Sequence, residues 1–415
     1  MKNNSDSENI PKDWEILRLG NESIADLIMG QSPPSSTYNY EGIGLPFLQG
    51  NADFGETYPT PILSCSQPIK IAEKNDILLS VRAPVGDVNI SPSKSCIGRG
   101  LAAIRPKRDK LDHLFLFYYL KFGSRKFESL SMGSTFKAIR KEEVENFQIP
   151  LPPLHEQRRI AEVLGTVDSA IQKVGGAIES TERLKKGLML RLLTRGIGHE
   201  RFKESEVGRV PQEWEVVMLG DVVEELKNGF ASGKRDENGI VQIRMNNVTT
   251  DGHLIFDSYL KVPVPENLNY WLLKKGDLLF NNTNSIDLVG KSTIFNEAPF
   301  SCTFSNHFTR IRFKKELVLS ELILYHFLIL WEKGYFKSVA IRHVGQSAVH
   351  TNYLLKLQIT LPPLPEQRRI AEILSAADRK LELERRRKEK LERVKKGLMN
   401  ELLTGRKRVK IALYL

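Results

Sequence analysis

The stretch LPPLHEQRRIAEVL at Leu151–Leu164 returns as LPPLPEQRRIAEIL at Leu361–Leu374, with 12 of 14 letters unchanged and an offset of 210 residues. A repeat on this scale constrains the architecture before any local structure is read. KKGLMLRLLT (Lys185–Thr194) matches KKGLMNELLT (Lys395–Thr404) at the same offset, so the repeated segment is about forty residues long. IPKDWEILRLG (Ile10–Gly20) matches VPQEWEVVMLG (Val210–Gly220) at an offset of 200. Between these landmarks the halves diverge, with echoes such as NDILLSV (Asn75–Val81) against GDLLFNN (Gly276–Asn282). The plan is a variable domain over 1–150, a constant helix over 151–200, a second variable domain over 201–360 and a second constant helix over 361–415.

The constant segments read as long helices. Prolines fix the entry dihedrals, and Glu156 and Glu366 suit the positive N-terminal end. Apolar residues then recur as Ile160, Leu164, Val167, Ile171, Val174 and Ile178, the heptad spacing that buries one helix stripe against another. The second copy carries Ile370, Leu374, Ala377 and Leu381, places Glu384 and Lys388 where the first has Val174 and Ile178, and regains apolar character at Leu391, Val394, Leu398 and Leu402. A helix from Leu154 to Leu193 spans about 60 Å at 1.5 Å per residue. That is longer than one globular domain needs, so the two helices are expected to pack on each other; this pattern alone does not fix their relative direction. Gly175 and Gly176 face either a close approach by Arg385 and Arg386, a kink, or a local fray. The basic run ELERRRKEKLERVKK (Glu382–Lys396) reads as a solvated helix face with i,i+4 pairs in preference to a direct phosphate contact.

Composition narrows the function. The 415 residues carry 61 Lys and Arg against 50 Asp and Glu, a formal charge of +11 that favours a polyanionic partner without proving one. Three cysteines (Cys65, Cys96, Cys302), far apart in sequence, form neither a disulfide framework nor a metal knuckle, and a reducing cytoplasm is expected. The N-terminus shows no secretory pattern, and LFLFYYL (Leu114–Leu120) and LILYHFLILW (Leu322–Trp331) are too short to span a bilayer, so no membrane partner is expected. Catalytic patterns fail one by one. GKS at Gly290–Ser292 lacks the glycine a phosphate loop needs at position 285 and reads as a turn. No G-x-G-x-x-G follows a strand candidate, and the eight histidines fall into no zinc signature. A binder is expected, with no catalytic residue and no metal site.

The twin LPPLxEQRRIAE blocks, the openings PKDWEILRLG and PQEWEVVMLG, PFLQGNADFGE (Pro46–Glu56) and MGSTFKAIRKEEVENFQIPLPPL (Met132–Leu154) together resemble the specificity subunit of type I restriction–modification enzymes, over essentially the full length. The resemblance implies an α+β fold: two globular, α/β-mixed target-recognition domains, separated by two long antiparallel helices that form a coiled-coil spacer with an internal pseudo-twofold repeat. It implies double-stranded DNA as ligand, with each domain reading half of a split target. It further implies two methyltransferase (modification) subunits docked on the helices and restriction/translocase subunits beyond them. S-adenosylmethionine and ATP/Mg are expected on those partners, with no cofactor in this chain. The competing readings are a self-sufficient DNA enzyme and a coiled-coil scaffold without DNA specificity.

Base reading requires Arg or Lys for guanine and Asn or Gln for adenine on loops or helices that enter a groove. The candidates are Gln49, Asn51, Arg82, Lys94, Arg99, Lys137 and Arg140 in the first domain. In the second they are Arg244, Asn246, Asn247, Asn281, Asn282, Asn284, Lys291, His307, Arg342, His343 and Gln346. Ordinary loop polarity accounts for such residues as well. MGSTFKAIR (Met132–Arg140) and HVGQSAVH (His343–His350) are expected as loops facing the ligand, with Gly133 and Gly345 permitting close approach. Leu154, Ile160, Leu164, Val167, Ile171, Leu364, Ile370, Leu374, Leu381 and Leu398 are the expected spacer and partner-docking positions.

Overall fold

The computed structural model describes residues 10–131 and 138–409. The chain divides into two compact units, Met1–Gly176 with Arg385–Leu415, and Ala177–Glu384. Each unit therefore contains one variable domain, the start of its own long helix and the end of the other. The long helices are Leu154–Arg195 (42 residues) and Leu364–Leu402 (39 residues). The first helix ends directly before Gly196, with φ +63°, and the second is followed three residues after Leu402 by Gly405, at +73°, one repeat position earlier than Gly196.

In the first unit a four-stranded antiparallel sheet runs in the order 25–29, 101–106, 77–80, 88–90. A second, five-stranded sheet holds strands 38–39, 63–65, 45–48, 95–97 and 71–72, with 45–48 and 95–97 parallel. The apolar run LFLFYYL lies in the helix His113–Phe122, whose first turn is capped by Asp112 accepting from the Leu114 and Phe115 N–H groups. In the second unit the four-stranded sheet repeats that order with strands 223–228, 308–313, 277–281 and 292–295, and the helix Ser320–Glu332 takes the corresponding place. Strands 240–243, 260–262 and 302–304 repeat the antiparallel and parallel pairings that 45–48 makes with 63–65 and 95–97, and the second unit adds a small sheet of 283–284, 346–348 and 341–343.

The repeated openings and closings of the domains are paired in space. Strand Glu15–Arg18 lies antiparallel to Gln148–Leu151, Glu15 opposite Leu151; Glu215–Met218 lies likewise against Gln358–Leu361, Glu215 opposite Leu361. Each ribbon closes its domain at the helix start. One core joins Trp14, Ile77, Ile104, Phe115, Phe127 and Ile149 to Ile160 and Leu164 of the first helix and Leu402 of the second. The other joins Trp214, Phe280, Ile311 and Phe327 to Ile370 and Leu374 of the second helix and Met189 and Leu192 of the first. Within each unit the helices run antiparallel: Glu156 meets Arg408 while Asp168 meets Lys395, and Glu366 meets His199 while Asp378 meets Lys185.

The heptad residues Ile160, Leu164, Ile171, Val174, Ile370, Leu374 and Leu381 are buried, while Leu154, Val167, Leu364 and Leu398 are half-buried. Gly175 and Gly176 correct an expectation. The helix passes through them without a break, and a Cβ at either position would meet nothing within 4 Å. Among the described residues no side chain uses the room they leave, and the helical assignment continues through both.

Candidate nucleic-acid interface

In the first unit an open concavity of about 620 Å³ is lined by Gln49, Asn51, Arg82 and Arg99, with Tyr38 and Ser32 beside them. These residues come from four separate segments. Gln49 follows strand Leu45–Leu48, and its backbone N–H donates to Asp53 Oδ2 at 2.7 Å, which fixes the turn beyond it. Asn51 donates from Nδ2 to Asp87 Oδ2 at 2.9 Å. Arg99 is exposed, and its backbone N–H donates to the Ser32 hydroxyl at 3.2 Å. Arg82 is exposed, pairs by backbone with Ala138, and its carbonyl accepts from Ser80 Oγ at 2.9 Å. The segments converge because Gly100 sits against the Gln49 carbonyl, where a Cβ would lie at 2.5 Å. Two Arg, one Gln and one Asn at the rim of one concavity give guanidinium forks and amides of the kind that read base edges.

The other candidates of this unit lie apart. Lys94 is exposed and pairs with Glu73 at 3.4 Å. Arg140 is exposed at the start of the short helix Lys141–Glu145, its backbone N–H on Glu143 Oε2 at 2.6 Å. Lys137 lies outside the described residues, as do Gly133 and the rest of 132–137.

In the second unit the dense asparagine stretches turn inward. Asn247 donates to the Ile255 and Ser258 carbonyls at 3.1 and 2.8 Å, and Asn281 to the Thr283 and His307 carbonyls at 3.1 and 2.8 Å. Asn282 donates to Thr309 Oγ1 at 2.9 Å, and Asn284 to Asn281 Oδ1 at 2.6 Å. All four are buried. The Lys291 ammonium is also buried and donates to the Met245 and Val248 carbonyls at 3.1 and 2.6 Å; burial lowers its pKa. GKS is therefore a turn, with Gly290 at φ +88° and its lysine spent on the fold. Arg244 is half-buried and donates to Ser232 O at 3.2 Å, while Asn246 is exposed. His307 is half-buried, its pKa lowered by burial and by Arg244.

These inward amides hold an outward element. Strand Thr283–Asn284 carries Gln346–Ala348, which pairs with Ile341–His343 in an antiparallel hairpin. HVGQSAVH thus begins as a hairpin rather than a loop, turning at Val344 and at Gly345 with φ +80°. Arg342, His343 and Gln346 are exposed, and Val344 at the tip is fully so. His343 stands opposite Gln346 across the ribbon. A two-stranded ribbon of this size fits a major groove. The sequence signal was available in the run AIRHVGQSA, where a Gly-containing two-residue turn separates short extended arms.

Among the described residues no group of three or more His, Cys, Asp or Glu is placed to hold a metal, and no helix is long and apolar enough to cross a membrane. The three cysteines are free and buried.

Two heads of one plan, each offering exposed Arg, Gln or Asn at a different edge, define a duplicated recognition subunit. The family model described as "Type I restriction modification DNA specificity domain" matches residues 11–180 and again 211–393. The type I restriction enzyme MjaVIII specificity subunit of Methanocaldococcus jannaschii is 30% identical over 426 residues, covering 97% of this chain and 94% of that one. A putative MjaX specificity subunit of the same organism is 54% identical over 185 residues, 45% of this chain and 44% of that protein's length. The crystal structure of an S subunit from M. genitalium superposes with a TM-score of 0.62 at 16% identity, covering 99% of both chains, and so shares the fold. The chain belongs to the type I restriction–modification specificity-subunit family. It recognises DNA sequence within a restriction–modification complex and is a non-catalytic component of it.

Proposed function

We propose that the two heads read the two halves of a split target in double-stranded DNA. The first would read through the Gln49, Asn51, Arg82 and Arg99 concavity, the second through the Ile341–Ala348 hairpin. The observation that carries this reading is the pairing of one shared four-strand plan with unlike polar edges. A single continuous site would not call for two such heads. On this reading the exposed faces of the two long helices would take two methyltransferase subunits, and restriction/translocase subunits would join through them in the cytoplasm. S-adenosylmethionine and ATP with Mg would belong to those partners.

The test is to express the chain with its modification subunit and map methylated adenines across a genome. One motif in two parts with a fixed unread gap supports the reading, and a continuous motif overturns it.

A further inference from the structure

One three-residue cluster occurs twice, once in each unit. In the first, the Tyr118 hydroxyl donates to Asp168 Oδ2 at 2.8 Å, and Lys395 pairs with Asp168 Oδ1 at 2.5 Å. In the second, Tyr325 donates to Asp378 Oδ2 at 2.8 Å, and Lys185 pairs with Asp378 Oδ1. Each lysine also lies over its tyrosine ring, 5.8 Å from the Tyr118 centroid and 6.0 Å from that of Tyr325. The tyrosine comes from the head, the aspartate from the head's own long helix and the lysine from the returning helix. All three elements therefore meet on one carboxylate.

The lysines open the constant KKGLM blocks, whereas the sequence around the aspartates changed while the aspartate itself stayed. TVDSAI around Asp168 became AADRKL around Asp378, and the seam gained Glu384 and Lys388 in place of Val174 and Ile178. The lysines are shielded, with 10% and 18% of their side chains accessible for Lys185 and Lys395. Shielded ion pairs add little net stability but are costly to break one partner at a time, which makes them suited to fixing register. A slip of either helix by one turn, ~5.4 Å, would separate each lysine from its aspartate. That distance exceeds the ~3.4 Å rise of one base pair.

We infer that the Tyr118–Asp168–Lys395 and Tyr325–Asp378–Lys185 clusters are register keys that seat each head on both helices and thereby set the number of unread base pairs between the half-sites. This rests on the split-target reading above. The residues are positioning residues: they face neither the concavity nor the hairpin.

The experiment maps methylation by the complex carrying the full-length chain, in wild-type form and as Asp168→Ala, Lys395→Ala and the milder Tyr118→Phe. The readout is the ratio of methylation at sites with one base pair more or fewer in the gap to methylation at cognate sites. That ratio should rise about tenfold in Asp168→Ala, the factor carried by one lost discriminating interaction, with half-site letters unchanged. The double change Asp168→Lys with Lys395→Asp should restore the wild-type ratio. If the wild-type motif is split and the single variants, Tyr118→Phe included, lower methylation at all sites alike with the gap preference intact, the clusters serve stability only and the inference fails. If the wild-type motif is continuous, the split-target reading itself has failed, and the inference goes with it.

Discussion

Trp14 donates from its indole nitrogen to Glu156 Oε2 at 3.2 Å, across 142 residues of sequence. Trp214 makes the same bond to Glu366 at 2.9 Å. The tryptophan of each domain opening is thereby tied to the glutamate of the LPPLxEQ phrase that closes it, so two separately repeated motifs are two sides of one contact. Glu156 also takes the Arg408 guanidinium, at 2.6 and 2.7 Å, and Glu366 takes His199 at 2.9 and 3.0 Å. Each carboxylate joins a domain opening to chain at or beyond the end of a long helix.

Glu156→Ala is therefore expected to destabilise the first unit by about 1–3 kcal/mol, because it strands the Trp14 N–H and removes one of the two carboxylates, Asp13 being the other, that hold the Arg408 guanidinium. Glu156→Gln, which keeps an acceptor for Trp14, should cost less. Urea unfolding of both variants measures the difference; equal losses would assign the effect to the charge on Arg408 alone.

The glutamine one position further on makes a second prediction. Gln157 is fully buried, accepts from the Asp112 N–H at 2.9 Å and donates to the Lys110 and Pro152 carbonyls at 2.9 and 2.8 Å. Gln367 repeats this with Leu319, Leu317 and Pro362 at 2.9, 2.9 and 2.8 Å. Replacement by Ala should cost about 1–3 kcal/mol at either site through the stranded backbone groups. Glu is expected to be no better than Ala, since a carboxylate would face two carbonyls. A tolerated Gln157→Glu in thermal unfolding would refute the bond assignment.

The repeat made this much of the fold legible: duplicated domains, long helices starting after the prolines, and buried positions at Ile160, Leu164, Ile370 and Leu374. The direction of the helices was not legible in the pattern, because a heptad stripe is the same for either orientation. Two pairs decide it within each unit, Glu156–Arg408 with Asp168–Lys395 and Glu366–His199 with Asp378–Lys185. In the candidate interface, Gln49, Asn51, Arg82 and Arg99 come together from loops distant in sequence. The asparagines of NNTNS read the same whether they face solvent or bond backbone carbonyls. Only the fold shows that Asn281, Asn282 and Asn284 point inward.

Gly175 and Gly176 sit in an unbroken helix with open space where a Cβ would go. Each Gly→Ala change should then stabilise by about 1 kcal/mol, the difference in helix propensity. Equilibrium unfolding of the double variant tests this, and destabilisation would show that the glycines are needed for close packing after all.

His326 lies in the helix Ser320–Glu332, where burial pushes its imidazole down to about 4. Between that value and the ordinary 6.5 the unfolded chain binds a proton that the folded chain does not, so stability rises with pH across this window. The contribution is complete above 6.5 and is lost as pH falls towards 4, by about 3 kcal/mol in all at 1.36 kcal/mol per unit. The slope of stability against pH over this window should be shallower in His326→Gln than in wild type. Identical slopes would show that the imidazole titrates normally.

Arg82 and Arg342 belong to different units, which allows the two-headed reading to be tested residue by residue. A guanidinium that forks onto a guanine edge contributes about 1–3 kcal/mol of discrimination, and its loss relaxes one position of the site. One that meets phosphate instead lowers affinity for all sequences and takes about 0.9 from the salt slope. Arg82→Ala should relax letters in one half-site and Arg342→Ala letters in the other, each leaving the opposite half intact. Arg342 is the sharper probe, because it stands on a hairpin whose frame of buried asparagines does not depend on it. Methylation mapping of the two variants side by side is the measurement. Relaxation in the same half-site from both would assign the concavity and the hairpin to one stretch of DNA and overturn the division of labour between the heads.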